Sequence, residues 1–200
     1  MSPKFGTSGL RGLVTELTEP LVRDYTRAFL SPCDIGTELF IGCDLRPSSP
    51  QLAQWISDEA VALGVSVQDC GALPTPALAL AAKGHGAIMV TGSHIPADRN
   101  GLKFYVPNGE ITKQDEVAIL AALGRPKATH PQGSLHRFDA SSAFVERYEN
   151  AFGASALKGL RVGVYEHSSV ARDLLMDVMT RLGAPCGRKG EGSANFCYSR

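Results

Sequence analysis

The sequence predicts an α/β fold: a three-layer α/β/α sandwich around a mostly parallel mixed sheet, followed by an incomplete second α/β domain. Three observations carry that expectation. Short apolar runs, Leu39–Cys43 and Ala87–Val90 among them, alternate with stretches of helical spacing. Glycines close the helical patterns, as at Gly64 and Gly183. Between 125 and 138 the chain turns polar, with Pro126, Pro131 and Gly133, which reads as a linker separating a first domain over 1–124 from a second unit.

In order, Glu19 to Leu30 carries Leu21, Val22, Tyr25 and Phe29 at helical spacing, with Thr18 placed to cap it and Pro20 in its first turn. Leu39 to Asp44 reads as a strand, Pro50 to Leu63 as a helix, and Val65 to Asp69 as a second strand. Pro74-Thr75-Pro76 opens an alanine-rich helix that runs to Lys83. The strand Ala87–Val90 follows, then an apolar-alternating segment through Lys103–Val106 whose return could bring Lys103 beside Ser93. Pro107-Asn108-Gly109 marks a turn, and the T-x-x-D of Thr112–Asp115 starts a further helix. Alternation of this kind favours helices layered on a sheet with parallel strands.

The second unit reads as a helix over 141–152, a strand over 160–165 and a helix over 170–182. Such a unit needs another strand to pair with its first one. The glycine-rich, polar tail over 185–200 shows no strand pattern, so a partial domain over 139–184 and an irregular tail are expected. Its apolar helix faces would then be exposed, a liability for aggregation or a surface for a partner.

The gross numbers narrow the function classes. Twenty basic and twenty acidic residues cancel, which removes any general attraction to nucleic acid or to an anionic membrane. No apolar run has transmembrane length, and the opening Met1-Ser2-Pro3-Lys4-Phe5 has no signal-peptide core. Five scattered cysteines, never spaced C-x-x-C, argue against a disulfide framework and a zinc site and for a reducing, cytoplasmic location.

Chemistry concentrates at two stretches. Thr91-Gly92-Ser93-His94-Ile95-Pro96 follows a buried strand, and ligands of open α/β sheets bind beyond the carboxyl ends of strands. Gly6-Thr7-Ser8-Gly9-Leu10-Arg11-Gly12 has two readings: a loop that points backbone N–H groups and Arg11 at an anion, or a plain glycine-rich turn before a strand. His85, between two glycines, reads as an exposed turn residue. A serine hydrolase is disfavoured, because Ser93 lacks the G-x-S-x-G elbow.

These residues resemble the α-D-phosphohexomutases, the phosphomannomutase/phosphoglucomutase family. Thr91–Pro96 and Asn100-Gly101-Leu102-Lys103 are similar to the family's T-A-S-H-N-P and N-G-x-K motifs. Phe5–Gly12 is similar to F-G-T-S-G-x-R-G, Gly42-x-Asp44-x-Arg46 to G-x-D-x-R, and Thr75-Pro76 to T-P. The resemblance implies interconversion of hexose 1-phosphate and hexose 6-phosphate through a phosphoserine at Ser93 and a bisphosphate intermediate. It implies catalytic roles for His94, Lys103 and Arg11, and phosphate binding by Thr7, Ser8, Gly9, Arg11 and Lys103. Lys103 is the acid–base candidate, because crowding by other cations lowers a lysine pKa. A hexose phosphate is the implied partner and a hexose 1,6-bisphosphate the implied activator. Mg²⁺ is the implied cofactor, meeting Ser93 through its phosphate.

The departures shape the expectation further. Gly92 stands for the family's usual alanine, a change expected to be harmless, and Ile95 for asparagine. The aspartate loop D-G-D-x-D-R, which holds Mg²⁺ in the family's third domain, does not occur, and Gly190-Glu191-Gly192-Ser193 only superficially copies the sugar-recognising loop. The chain is therefore expected to be a truncated or frameshifted mutase, inactive or incomplete in this form, or alternatively a non-catalytic phosphosugar- or partner-binding remnant. Which hexose phosphate it takes, and its oligomeric state, stay open.

Overall fold

The computed structural model describes residues 3–6, 9–126 and 131–189. The chain divides into two compact units, with the boundary between Phe138 and Asp139.

The first unit is organised on one sheet. Its strands are β1 (Lys4–Phe5), β2 (Gly9–Leu13), β3 (Glu38–Cys43), β4 (Ser66–Ala72), β5 (Gly86–Val90), β6 (Arg99–Val106), β7 (Gly109–Glu110) and β8 (Leu135–Arg137), in the order β1-β2-β6-β5-β3-β4-β8, with β7 also on β6. Strands β5, β3, β4 and β8 pair in parallel, and β1, β2, β6 and β7 add an antiparallel flank. The helices α1 (Glu19–Leu30), α2 (Ser49–Ala62), α3 (Thr75–Ala81) and α4 (Lys113–Ala122) complete the sandwich.

The strand period of two decides which side chains meet which helices. Leu39 and Ile41 of β3, Ile88 and Val90 of β5, and Leu102 and Phe104 of β6 join one core with Val22 and Phe29 of α1, Leu52 and Ile56 of α2, and Ile119 of α4. Phe104 is fully buried, its ring 5.0 Å from Phe29 and 5.9 Å from Phe5. The intervening residues Phe40, Ala87 and Met89 are also buried, on the face that α3 covers with Ala77 and Leu78. Both faces of the sheet are therefore covered, as the α/β/α expectation requires. Helices α1 and α2 are tied by an acid nearly stripped of water: Glu59 receives Arg27 Nη1 at 2.9 Å and Arg23 Nη1 at 3.3 Å. At the start of α4, Thr112 and Asp115 form the reciprocal capping box that T-x-x-D foreshadows.

Two parts of this unit differ from the sequence expectation. Residues 9–13 are a strand rather than a loop, pairing with β6 from Gly9↔Lys103 to Leu13↔Arg99. A strand with two glycines and an arginine has no apolar alternation to announce it. Thr7 and Ser8 lie outside the described residues. The stretch expected to be a linker also belongs to the sheet: β8 lies parallel to β4, and the Phe138 ring meets Phe40 edge-on at 5.2 Å.

The second unit comprises α5 (Ala140–Phe152), β9 (Val162–Tyr165), α6 (Arg172–Arg181) and β10 (Cys186–Lys189). The Asp139 side chain caps α5, accepting from the Ser141 and Ser142 amides. Arg181 of α6 reaches Glu149 of α5 at 2.7 Å. Here the expectation of an unpaired first strand is overturned: β10 lies parallel to β9 from Cys186↔Val162 to Lys189↔Tyr165. Helix α6 supplies the crossover that a parallel pair needs. Pairing requires only backbone donors and acceptors, so Cys-Gly-Arg-Lys forms an edge strand without side-chain alternation. Phe152, Leu160, Tyr165 and Leu175 are exposed, in line with the apolar surface expected of this unit.

Candidate active site

The loop after β5 is held by the strand next to it. Asp44, just past β3, uses both carboxylate oxygens. Oδ2 accepts the Thr91 hydroxyl at 3.0 Å and the Gly92 amide at 2.9 Å. Oδ1 accepts the Arg46 amide at 3.0 Å and the Ser49 hydroxyl at 2.5 Å. The Thr91 hydroxyl in turn accepts the Ser93 amide at 2.9 Å. Asn100, fully buried, donates to the Ser48 and Ser49 hydroxyls, both at 2.9 Å, and accepts the Gly101 amide at 2.8 Å. The loop thus enters and leaves through polar anchors whose donors and acceptors are matched, the condition under which buried polar groups stabilise.

Ser93 sits at the apex with φ of +48°, in the left-handed region that a side chain rarely adopts. Backbone of this kind costs roughly 1–3 kcal/mol and persists only when its surroundings over-determine it. The side chain is exposed, and its Oγ lies 3.3 Å from His94 Nδ1, with the donor set by the histidine tautomer.

A cleft of about 290 Å³ opens at this apex, lined by Gly9, Arg11, Thr75, Thr91, Ser93, Gly101 and Lys103, with Leu10 and Leu102. Its floor follows from the β2–β6 register. Arg11 opposes Gly101 and Gly9 opposes Lys103, so the two cations stand on one face with a glycine across from each. A Cβ at Gly9 would fall 2.0 Å from the Leu102 carbonyl oxygen, and one at Gly101 2.5 Å from that of Leu10. Glycine at both positions lets the strands approach while leaving space between the cations. The structure therefore brings Ser93, Arg11, Lys103 and Gly9 to one cleft, with His94 against Ser93. Arg11 and Gly9 reach it from a strand, since from Gly9 on the backbone pairs along the sheet, in keeping with the reading of Gly6–Gly12 as a glycine-rich turn before a strand.

Lys103 behaves differently from the sequence expectation. Its Nζ meets Glu110 Oε1 at 2.5 Å and lies 5.3 Å from the centroid of the Tyr105 ring. Burial pulls its pKa down, but hydrogen bonding to Glu110 and Tyr105 outweighs that pull, and the net direction is upward. The expected lowering by neighbouring cations is thus reversed, and the lysine is held protonated. Sequence reasoning missed Glu110 because the β6–β7 hairpin, not sequence spacing, brings it to Lys103. At Gly92 an added Cβ would lie 2.1 Å from Arg46 Nε, so alanine would require the end of that flexible side chain to shift. Thr75, from the T-P pair, lines the cleft at the start of α3.

Among the described residues no group of three or more histidine, cysteine, aspartate or glutamate side chains stands where it could hold a metal ion. These residues do not by themselves make a Mg²⁺ site.

The likenesses to known proteins follow the same residues. A model of the phosphoglucomutase/phosphomannomutase α/β/α domain I matches residues 2–129. The chain is 44% identical to a phosphomannomutase of Sinorhizobium fredii over 94% of its own length and 44% of that protein's. It is 43% identical to a phosphomannomutase of Salmonella muenchen over 90% of its own length and 39% of that protein's. It thus spans less than half the length of these relatives. The fold matches the crystal structure of a phosphoglucomutase/phosphomannomutase family protein from Burkholderia thailandensis, with a TM-score of 0.76 at 24% identity, over 92% of this chain and 43% of that one. With well over half of its residues matching the family's first domain, this chain belongs to the phosphoglucomutase/phosphomannomutase family.

Proposed function

We propose that this chain carries the phosphoryl-accepting side of a phosphohexomutase site, with Ser93 as the residue that takes and returns the phosphoryl group. The observation that carries the reading is the convergence on one cleft of a strained, exposed serine and two cations from neighbouring strands. Names of the relatives support a hexose phosphate as substrate, and the family supports the class of reaction.

The steps balance as two transfers. Phosphoserine 93 gives its phosphoryl group to the free C6 hydroxyl of a hexose 1-phosphate; the serine P–O bond breaks, the sugar P–O bond forms, and the proton of the hydroxyl passes to the serine oxygen. After the bisphosphate turns over in the site, Ser93 Oγ takes the phosphoryl group from C1. The C1 P–O bond breaks, and the serine proton ends on the released C1 oxygen. Catalysis of such transfers rests on in-line positioning and on neutralising charge over the moving group. Arg11 and Lys103 supply that charge. The protonated Lys103 serves as a cation or proton donor rather than as a resting base. His94 Nδ1 is the atom in reach to relay the Ser93 proton. Ser93, once phosphorylated, would be this chain's point of contact for Mg²⁺, which would supply further charge neutralisation there.

The test is an assay of the purified chain with Mg²⁺, a hexose 1,6-bisphosphate, and mannose or glucose 1-phosphate, beside Ser93→Ala. Phosphoryl transfer that vanishes in the variant is expected. Phosphosugar binding with no Ser93-dependent transfer would instead support the second reading, a non-catalytic phosphosugar-binding chain, which the cation-lined cleft also accommodates.

A further inference from the structure

We propose that Arg46 is the positioning residue of the Ser93 loop. This goes beyond the Ser93 reading and rests on it only for the kinetic part of the test.

Arg46 follows β3 and sends its side chain across to a different connection, the one between β5 and β6. Nη1 donates to the Pro96 carbonyl at 2.8 Å and to the Arg99 carbonyl at 2.9 Å. Nη2 donates to the Ile95 carbonyl at 2.6 Å and to the Ser93 carbonyl at 3.4 Å. Nε lies 3.5 Å from Asp44 Oδ2, the oxygen that also receives Thr91 and Gly92. A single guanidinium thus gathers the carbonyls of Ser93, Ile95 and Pro96 in the loop and of Arg99 at the start of β6, while its charge is balanced by the carboxylate that anchors the loop's entry. Only a planar fork of fixed donors makes this pattern; an ammonium, as a point charge on a flexible stem, does not.

The arrangement has a consequence for Ser93. A trans peptide sets its N–H opposite its C=O. Drawing the Ser93 carbonyl to Arg46 therefore turns the His94 amide away from the guanidinium and fixes ψ of Ser93, while the Thr91 hydroxyl fixes its amide. The unfavourable φ of +48° is held from both sides.

Two readouts test this on the full chain. Hydrogen exchange is followed at the Ile95 and Arg99 amides, which bond to the Gly92 and Pro96 carbonyls inside the loop. Phosphorylation of Ser93 by a hexose 1,6-bisphosphate is followed by mass spectrometry in wild type, Arg46→Ala and Arg46→Lys. Arg46→Ala is expected to speed exchange at both amides and to slow phosphorylation on the order of 10²-fold, the scale of an ångström-sized misplacement. Free guanidinium at low millimolar concentration should restore part of the Arg46→Ala rate, a rescue that a merely destabilised fold would not show. Arg46→Lys should stay slow. Unchanged exchange at Ile95 and Arg99 in Arg46→Ala would overturn the proposal. So would a wild-type phosphorylation rate in that variant, or a loss that guanidinium leaves untouched. If wild type itself takes no phosphate, the Ser93 reading fails, and the exchange data alone decide on Arg46.

Discussion

The Asp44 carboxylate accepts the Gly92 amide at 2.9 Å, so the turn that carries Ser93 hangs from the end of β3 rather than from its own strand. Four donors share the two oxygens of that carboxylate, from Arg46, Ser49, Thr91 and Gly92. Asp44→Asn would replace an acceptor-only group by one that places an NH₂ against donors. We expect a loss of about 1–3 kcal/mol in stability, the cost of leaving part-buried donors unpaired. Urea unfolding of the two proteins would measure it, and equal midpoints and slopes would show that the carboxylate is not the anchor.

Phe104 offers a test of the core. It is fully shielded and links the Phe5 and Phe29 rings across β1, β6 and α1. Phe104→Ala should cost about 3–5 kcal/mol, the range for deleting a buried aromatic ring. Denaturant unfolding gives the number directly; a loss below about 1 kcal/mol would mean that the site collapses around the cavity or that the packing described is wrong.

Lys103 supplies a pH prediction. Burial lowers its pKa and the bonds to Glu110 and Tyr105 raise it further than burial lowers it. A cation whose folded pKa lies above its usual 10.5 contributes stability that is full below that value and is lost as pH climbs through the folded value. Glu110→Gln removes the charged partner and leaves the downward pull. The Lys103 midpoint, read from the ¹³Cε resonance, should therefore move down in the variant. An unmoved midpoint would remove Glu110 as the cause.

Cys33 and Cys43 are buried, and loss of solvation pushes both thiols up to about 11, with Asp115 adding to it for Cys33 and Asp44 and Asp69 for Cys43. At pH 8 the thiolate fraction of each is then on the order of 10⁻³. Iodoacetamide at that pH should label neither in the folded chain and both in urea. Rapid native labelling of Cys43 would place it nearer to water than the fold does.

Much of this was legible because two periods are written into the residues. Leu39 and Ile41, or Ile88 and Val90, announce strands by their spacing, and Thr112 with Asp115 announces a helix start. Ser93, Arg11 and Lys103 stood out through their motifs, and the β2–β6 register unites the latter two on one face. What escaped was structure fixed by partners rather than by side-chain pattern. Gly9–Leu13 and Cys186–Lys189 are strands because neighbouring backbones take up their donors and acceptors. The reach of Arg46 to a loop on another strand, and of Glu110 to Lys103, depends on the sheet order and on a hairpin, neither of which sequence spacing encodes.

The most direct measurement of the central claim is the mass of the intact chain after incubation with a hexose 1,6-bisphosphate and Mg²⁺, with peptide mapping of any product. The account predicts a single added phosphoryl group on Ser93, absent in Ser93→Ala and discharged when a hexose monophosphate is supplied. A folded chain that gains no phosphoryl group, or gains it at a residue other than Ser93, would contradict it.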